Sequence, residues 1–226
     1  MLRLQSRAVD IVSGVGVLDK AMAVVGALEA GPRSLAELVD ATGLSRPTAH
    51  RLAVALEAHG LVRRDHDGRF CLGLRLIGLG HEAAEAVPVW AAARSALALL
   101  HEHTGESVQL FVRDGDARVC VESIESAREL RTIVPIGARL PLGVGSAGKV
   151  LSGVTGEWVQ SVAEREEGVA SVSAPVHDTR GRVVAAVSVS GPIQRTTRSP
   201  GRKYGDQVAA AARQVEQAAG FGSATR

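Results

Sequence analysis

The first third of the chain contains three short segments in which apolar residues recur at helical spacing. The first segment covers residues 15 to 30 and ends at a glycine-proline pair. A second helix is predicted over residues 35 to 42, because Ser34 and Glu37 match the capping box that begins many helices. Gly43 then provides a tight turn. Three short helices with a glycine turn between the second and the third predict a helix-turn-helix.

The third predicted helix, residues 45 to 60, carries an apolar stripe on one side and hydrogen-bond donors at its start. Ser45 is a good N-cap, and Pro47 falls in the first turn, where its missing N–H costs nothing. Gly60 can adopt the left-handed conformation that ends a helix. The polar side chains at the start are Arg46, Thr48, His50 and Arg51. This arrangement is typical of a helix that enters a DNA groove, and the alternative is a merely solvated helix face.

After the third helix, the spacing of apolar residues changes from a helical pattern to a strand-like one. Two short strands are predicted, Leu61-Val62 and residues 70 to 72, with Asp67-Gly68 as the hairpin turn between them. The hairpin carries Arg63, Arg64 and Arg69. A hairpin in this place predicts a wing whose arginines suit phosphate or minor-groove contact, and the alternative is a plain solvated edge.

The rest of the chain mixes helical and strand patterns. A linker helix is predicted near residues 73 to 86, a second helix from Pro88 to about Thr104, and an alanine-rich helix over residues 207 to 219. The predicted strands are Ser107 to Arg113, Arg118 to Ile124, Thr132 to Ile136, Ala170 to Val176 and Val183 to Ser190. Hairpins with helices packed on one side indicate an α+β sensor-like domain.

Composition narrows the classes of protein that fit the chain. Its 226 residues suit two modest domains, and 46% hydrophobic residues are enough for packed cores. The net charge is only +2, but residues 45 to 75 contain six arginines and three acidic residues, a local charge of +3. Such a basic stretch attracts phosphates. Aromatic residues make up 3% of the chain, which argues against a protein that stacks single-stranded bases.

Little in the sequence indicates a cofactor, a metal or catalysis. Cys71 and Cys120 are too few and too far apart for a disulfide framework or a zinc site. His101 and His103 lie two residues apart on one helix, so they point away from each other. No serine or cysteine has a recognisable base, and no signal peptide or membrane-spanning run is visible. We therefore expect a cytoplasmic protein that is not an enzyme.

The glycine-rich stretch GVGSAG, residues 143 to 148, is similar to nucleotide-binding sequences. With Lys149 it nearly matches a phosphate-binding loop, but Val150 stands where that loop needs Ser or Thr to hold magnesium. The preceding RLPL is a poor buried parallel strand, because a proline lies inside it. We therefore predict a glycine-rich turn that leads into a helix and lines a ligand site.

Long stretches of the chain resemble the IclR family of bacterial transcription regulators. LAELVDATGLSRPTAHRLAVALEAHGLV and GRFCLG are similar to the family's winged helix-turn-helix. EREEGVASVSAPVHDTRGRVVAAVSVSGP is similar to the end of its effector-binding domain, and RTTRSPGR to its common tail. The N-terminal half is most similar to an actinobacterial subgroup linked to amino-acid biosynthesis and antibiotic production.

The resemblance implies a fold and a domain order. The fold class is α+β, with an N-terminal winged helix-turn-helix and a C-terminal GAF-like α/β effector-binding domain. The implied boundaries are a flexible arm over 1–13, the DNA-binding domain over 14–73, a linker helix over 74–86 and the effector domain over 87–226. The family also implies a homodimer or a dimer of dimers that binds a pseudo-palindromic operator in double-stranded DNA.

The resemblance implies a DNA interface at the start of the third helix, and the predicted wing and the cap of the second helix add further residues to it. Its predicted residues are Ser34, Ser45, Arg46, Pro47, Thr48, His50, Arg51, Arg63, Arg64 and Arg69. Arg46 and His50 are predicted to read bases, and Thr48 and Arg51 to hold phosphates. For Ser45 and Pro47 the alternative is that they only shape the start of the helix.

In the family, a small-molecule effector binds on the sheet of the C-terminal domain. The matching positions here are Gly145, Ser146, Ala147, Ser161, Ser171, Ser188 and Ser190. Serine hydroxyls and open backbone N–H groups suit a small carboxylate or an amino acid. The alternative is an ordinary, half-exposed strand face on which serines alternate.

One connection is shorter than the family's pattern. Only SGVTGE separates Leu151 from Trp158, where the family usually has a longer helical segment that covers one side of the pocket. We therefore expect a more open pocket.

The leading prediction is a dimeric DNA-binding regulator whose operator affinity depends on a small-molecule effector. One alternative, raised by the short connection, is a regulator that has lost its ligand. The other is a small-molecule-binding module or enzyme whose winged helix mediates protein contacts.

Overall fold

The computed structural model describes residues 13–221, so the predicted arm lies outside the described residues except for Ser13. The chain divides into two compact units, and the boundary between them falls between Ala83 and Ala84. Within the described residues no single helix is long and apolar enough to span a membrane, although one bent helix pair meets the test by length and composition.

The N-terminal unit is a winged helix-turn-helix. Its elements, with the helix that crosses into the second unit, are α1 (Gly16–Ala27), α2 (Leu35–Thr42), α3 (Arg46–Ala58), β1 (Val62–Arg64), β2 (Phe70–Leu72) and α4 (Arg75–Glu85). Its core consists of Val24, Leu28, Leu38, Leu52, Ala53, Leu56, Val62 and Phe70. The predicted order of three helices followed by a hairpin is confirmed.

Local capping determines where the helices of this unit begin and end. The Ser34 hydroxyl accepts from the Glu37 backbone N–H, and the Glu37 carboxylate accepts from the Ser34 N–H, so the predicted capping box is present. Gly43 ends α2 with φ of +67°, and Gly60 follows α3 with φ of +71°, a region that favours glycine. Ser45 holds the N-cap position of α3, but its hydroxyl donates to a side chain and not to the helix backbone.

The C-terminal unit is built on one antiparallel sheet. Its elements are α5 (Pro88–Thr104), β3 (Ser107–Asp114), β4 (Ala117–Ile124), β5 (Arg139–Pro141), α6 (Ser146–Leu151), β6 (Val159–Val162), β7 (Val169–His177), β8 (Val183–Pro192), α7 (Ile193–Thr196) and α8 (Pro200–Ala218). The strand order is β5-β4-β3-β8-β7-β6. The predicted α+β class, with an N-terminal helix-turn-helix and a C-terminal α/β domain, is confirmed.

Two apolar clusters divide this unit. Val108 and Leu110 of β3 pack with residues of β7 and β8 and with the buried sides of α5 and α8. Phe111, one residue further along β3, points the other way and packs with Val150 and its neighbours on α6. Successive strand residues face opposite sides of a sheet, so β3 separates a helix-covered core from a smaller core under α6.

The predicted strand over residues 132 to 136 is wrong. Pro135 supplies no N–H to a ladder there. Instead, the Cys120 N–H donates to the Ala138 carbonyl, and the Gly137 N–H donates to the Cys120 carbonyl. The strand that pairs with β4 is β5, which ends at Pro141 on the edge of the sheet, a position that tolerates proline. Strand β6 was not predicted from the sequence.

Candidate nucleic-acid interface and ligand pocket

The start of α3 presents a polar, exposed face. Ala49, Leu52, Ala53 and Leu56 are buried against the rest of the unit. Arg46, His50 and Arg51 are exposed, and their side chains make no hydrogen bond or ion pair with any residue in 13–221. Three free donors on the first two turns of a helix-turn-helix are available to phosphates and base edges.

Ser45 and Thr48 organise the beginning of that helix. The Ser45 hydroxyl donates to the Thr48 hydroxyl oxygen at 2.9 Å, and Ser45 itself is exposed. Pro47, also exposed, occupies the first turn, where no backbone donor is lost. Thr48 is half-buried and still has its hydroxyl hydrogen to donate outward.

The three wing arginines differ in their surroundings. Arg64 lies 4.2 Å above the Phe70 ring and 3.4 Å from the Glu57 carboxylate. Arg69 donates to the Glu37 carboxylate at 2.8 Å and to the Pro32 carbonyl at 2.9 Å. Arg63 is exposed, and no partner for it lies within the described part of the chain. Arg63 is therefore the wing arginine with its full charge available.

The second-helix cap has an internal role. The Ser34 hydroxyl is occupied by the capping box, and its backbone N–H donates to Glu37 at 2.7 Å. These bonds, followed by the charge of Arg69, lower the pKa of the Glu37 carboxyl. Glu37 thus joins the cap of α2 to the wing through Arg69, and a DNA contact by Ser34 stays a prediction.

The seven predicted effector residues lie together. All of them line one cavity of about 30 Å³ on the α6 side of the sheet: Gly145, Ser146, Ala147, Ser161, Ser171, Ser188 and Ser190. Strand register explains how residues that are distant in sequence meet. Ser171 pairs with Ser161 on one strand and with Ser190 on the other. These three serines form a row across the sheet, which we call the serine row.

A chain of hydroxyls continues behind this row. The Ser146 hydroxyl lies 2.7 Å from those of Ser171 and Ser173, and Ser173 donates to Ser188 at 3.0 Å. Ser190 donates to the Gln109 side-chain oxygen at 3.0 Å. Because hydroxyls both donate and accept, this network can reorient toward a ligand without leaving a buried group unpaired.

The structure adds two donors that sequence reasoning missed. Gln109 is 1% exposed and Arg118 is 3% exposed, and both line the same cavity. The Gln109 amide nitrogen Nε2 and the Arg118 Nε have no hydrogen-bond partner among the described residues. Buried donors normally have partners, so this pair points to an acceptor that binds in the cavity.

Charged groups surround these donors. Arg165 and Glu166, from the connection between β6 and β7, also line the cavity. Burial, followed by the nearby charge of Arg165, lowers the pKa of the Arg118 guanidinium to about 10. Burial also lowers the pKa of Arg165, while the charge of Glu166 acts in the opposite direction. A pKa of about 10 leaves Arg118 charged at neutral pH, and guanidinium groups in general keep their proton in proteins.

The glycine-rich turn leads into α6, as predicted. Lys149 donates to the Glu164 carboxylate, and this bond is the main reason that the pKa of Glu164 is lowered. Glycine is required at residue 148, because a Cβ there would lie 2.2 Å from Arg118 Nη1. Within residues 13–221 no group of three or more histidine, cysteine or carboxylate side chains is placed to bind one metal ion.

A winged helix-turn-helix together with a polar cavity in a second unit defines the class of transcriptional regulators that join a DNA-binding domain to a ligand-binding domain. Residues 17–66 match the IclR helix-turn-helix domain. Residues 81–161 and 154–217 match the C-terminal domain of the bacterial transcriptional regulator IclR. The chain belongs to the IclR family, and its relatives are transcriptional regulators, not enzymes.

Relatives of known name cover most of the chain. It is 26% identical to the HTH-type transcriptional regulator KipR of Bacillus subtilis over 225 residues, 83% of this chain and 90% of that protein. It is 29% identical to the glycerol operon regulatory protein of Streptomyces griseus, over 79% of this chain and 85% of that protein.

The fold is similar to that of solved members. An IclR homologue from Microbacterium hydrocarbonoxydans, complexed with 4-hydroxybenzoate, has a TM-score of 0.75 at 18% identity and covers 91% of this chain and 100% of that one.

The comparisons show that a relative contains residues that this chain lacks. The KipR alignment extends over 225 residues but uses only 83% of this chain, so the relative contains residues that have no counterpart here. The C-terminal family domain matches in two stretches that overlap at residues 154–161. In the structure α6 ends at Leu151 and β6 begins at Val159. The absence of a family segment between α6 and β6 stays a prediction.

Proposed function

We propose that this protein is a dimeric DNA-binding regulator whose affinity for a pseudo-palindromic operator is modulated by a small-molecule effector. The observation that carries the proposal is the set of free, exposed donors at the start of α3: Arg46, His50 and Arg51. Arg46 and His50 read base edges, while Arg51, Thr48 and the wing residue Arg63 hold phosphates.

Exposed apolar side chains on α1 and α4 support a dimer. On α1, Val17 is 66% exposed and Met22 is 55% exposed; beside α4 and on it, Leu74 is 68% exposed and Ile77 is 70% exposed. An apolar groove of about 270 Å³ also lies between α1 and α3. Exposed apolar surface of this kind marks an interaction site. We propose that a second copy of this chain covers this apolar surface, because a two-fold operator has two half-sites and each then receives one α3.

The effector acts by shifting a population. A ligand that binds one arrangement of the two reading heads more tightly than another changes their spacing, and hence the affinity for the operator. The predicted effector is a small carboxylate or an amino acid, bound in the cavity lined by the serine row. The 4-hydroxybenzoate complex of the Microbacterium homologue supports an organic acid.

The pathway stays a prediction. The similarity to an actinobacterial subgroup of amino-acid and antibiotic regulators rests on the sequence of the N-terminal half. The relatives include a regulator of a glycerol operon, which shows that similar chains control different genes.

Substitution of Arg46 tests the DNA-reading face. We expect Arg46→Ala to weaken specific operator binding by about tenfold to a hundredfold, because a bidentate base contact contributes about 1–3 kcal/mol. Lys20→Ala is the matched control, since it removes the same charge from an exposed position on α1. Titration of labelled operator DNA measures both variants, and circular dichroism verifies folding. Operator binding by folded Arg46→Ala that equals the wild type would show that this face does not read DNA.

A further inference from the structure

Two residues that line the ligand cavity carry buried donors without a protein acceptor. Gln109 Nε2 and Arg118 Nε are both buried and unpartnered within the described residues. One arm of the Arg118 guanidinium is fixed, because Nη1 donates to the backbone carbonyls of Pro141 and Val144. The side chain is also held under α6, with Phe111 on its other side at 5.4 Å. Arg118 is thus oriented before any ligand arrives.

The charged side chains that line the cavity favour a ligand of negative charge. The charged side chains that line it are Arg118, Arg165 and Glu166. Arg165 has no hydrogen bond or ion pair with any residue in 13–221, although it is half-buried. Two arginines and one carboxylate leave one positive charge in excess. A ligand with one negative charge neutralises that excess, whereas a second negative charge would be uncompensated in a cavity that also contains the Glu166 carboxylate.

The size of the cavity limits what it can hold. Its volume of about 30 Å³ accommodates about two or three water molecules. One carboxylate group is of comparable size, so the remainder of the ligand must be short or must lie on the side of the half-buried residues Arg165 and Val169. An aromatic ring is larger than this space, so an aromatic acid must place its ring outside the cavity.

We propose that Arg118 and Arg165 form a guanidinium clamp that binds the carboxylate of a short, singly charged organic acid, with Gln109 Nε2 as a further donor. The clamp sets the charge specificity of the pocket, while the serine row supplies adaptable hydrogen bonds to the rest of the ligand. This inference rests on the proposed function, because it concerns the effector site of that regulator.

The first experiment compares probes of similar size and different charge. The full-length protein is titrated by calorimetry at neutral pH with lactate, its neutral analogue lactamide, the dianion oxalate and 4-hydroxybenzoate. We expect lactate to bind at least tenfold more tightly than lactamide and more tightly than oxalate, and 4-hydroxybenzoate to bind more weakly than lactate. Equal binding of lactate and lactamide would overturn the clamp, and tighter binding of oxalate would overturn its preference for one charge.

Variants identify the residues responsible. Arg165→Gln removes a charge that makes no internal bond, and we expect it to weaken lactate binding by about tenfold to a hundredfold. Arg118→Lys keeps the charge but loses the Nε donor, and it should also weaken binding. Arg113→Gln is the control, because Arg113 pairs with Arg118 across the strands but is exposed and makes no contribution to the cavity. Unchanged lactate binding in folded Arg165→Gln would overturn the proposal.

DNA binding separates the two proposals. A wild-type protein that binds its operator but none of the four probes would refute the clamp and leave the regulator standing as one that has lost its ligand. A protein that binds lactate but no specific DNA would refute the proposed function and retain the clamp.

Discussion

At the residue scale, a buried ion pair connects Glu106, the residue before β3, to Arg195 on α7. Glu106 is 1% exposed, and its two carboxylate oxygens each accept from Arg195 at 2.7 Å. Close packing leaves little room for rearrangement, since a Cβ on Gly191 would lie 2.5 Å from the Glu106 carboxylate. Such a pair adds little net stability compared with apolar residues, but losing one partner strands a buried charge.

We predict that Arg195→Ala destabilises the C-terminal unit by about 3 kcal/mol, because Glu106 then lacks its counter-charge. Arg182→Ala is the control. It breaks the pair with Asp178 in an exposed hairpin, which should cost less than about 1 kcal/mol. Urea unfolding of both variants measures the difference in free energy. Equal free energies of unfolding for the two variants would show that the buried Glu106 pair contributes no more to stability than an exposed one.

Sequence reasoning identified the serine row but not the clamp. The seven effector positions came from a family resemblance. Strand register brings the four strand serines together, and the start of α6 adds Gly145, Ser146 and Ala147 to the same cavity. Arg118 was treated as part of an ordinary strand, although a charged residue inside the apolar run ARVCVESI was the available signal. Its function depends on the carbonyls of Pro141 and Val144, which only the folded chain places beside it.

At the scale of elements, the short connection after α6 places Trp158 against α8. A Cβ on Gly201 would lie 2.1 Å from the Trp158 ring, and a Cβ on Gly205 would lie 2.5 Å from its Nε1. Two glycines inside a helix are unfavourable in isolation, since each costs about 1 kcal/mol relative to alanine. Here they let the indole approach the helix backbone, and this contact ties the start of β6 to α8.

We predict that Gly205→Ala destabilises the protein by about 1–3 kcal/mol, because overlap with Trp158 outweighs the gain in helix propensity. The same substitution in a Trp158→Ala background should be neutral or stabilising by up to about 1 kcal/mol. Thermal unfolding of the four proteins in this double-mutant cycle measures the coupling. A Gly205→Ala effect that does not depend on residue 158 would contradict the packing argument.

Element prediction failed where a strand depends on its partner. The local pattern favoured residues 132 to 136 over β5, because β5 is three residues long and contains Pro141. Its pairing with β4 at the sheet edge makes it a strand. The helix-turn-helix was easier to predict, since the capping box, the glycine turn and the Asp67-Gly68 hairpin are local signals that need no distant partner.

At the scale of the whole molecule, the candidate DNA interface and the ligand cavity lie in different units. The N-terminal unit carries the exposed donors of α3 and the free wing arginine Arg63. The C-terminal unit carries the cavity with its serine row and two arginines. Family membership joins a helix-turn-helix to a ligand-binding domain in one chain. Under the proposed function, ligand binding in the C-terminal unit changes the spacing of the two copies of α3 in a dimer, and this couples the ligand to the operator.

The most direct test of this account is footprinting of the purified protein on DNA from its own upstream region. We predict a protected site with two-fold symmetry, whose half-site centres lie one or more helical turns apart, as two copies of α3 on one face of the duplex require. The affinity should fall steeply as salt rises, because phosphate contacts release counterions. Weak protection that is indifferent to sequence, both upstream and across genomic fragments with candidate ligands present, would contradict the central claim.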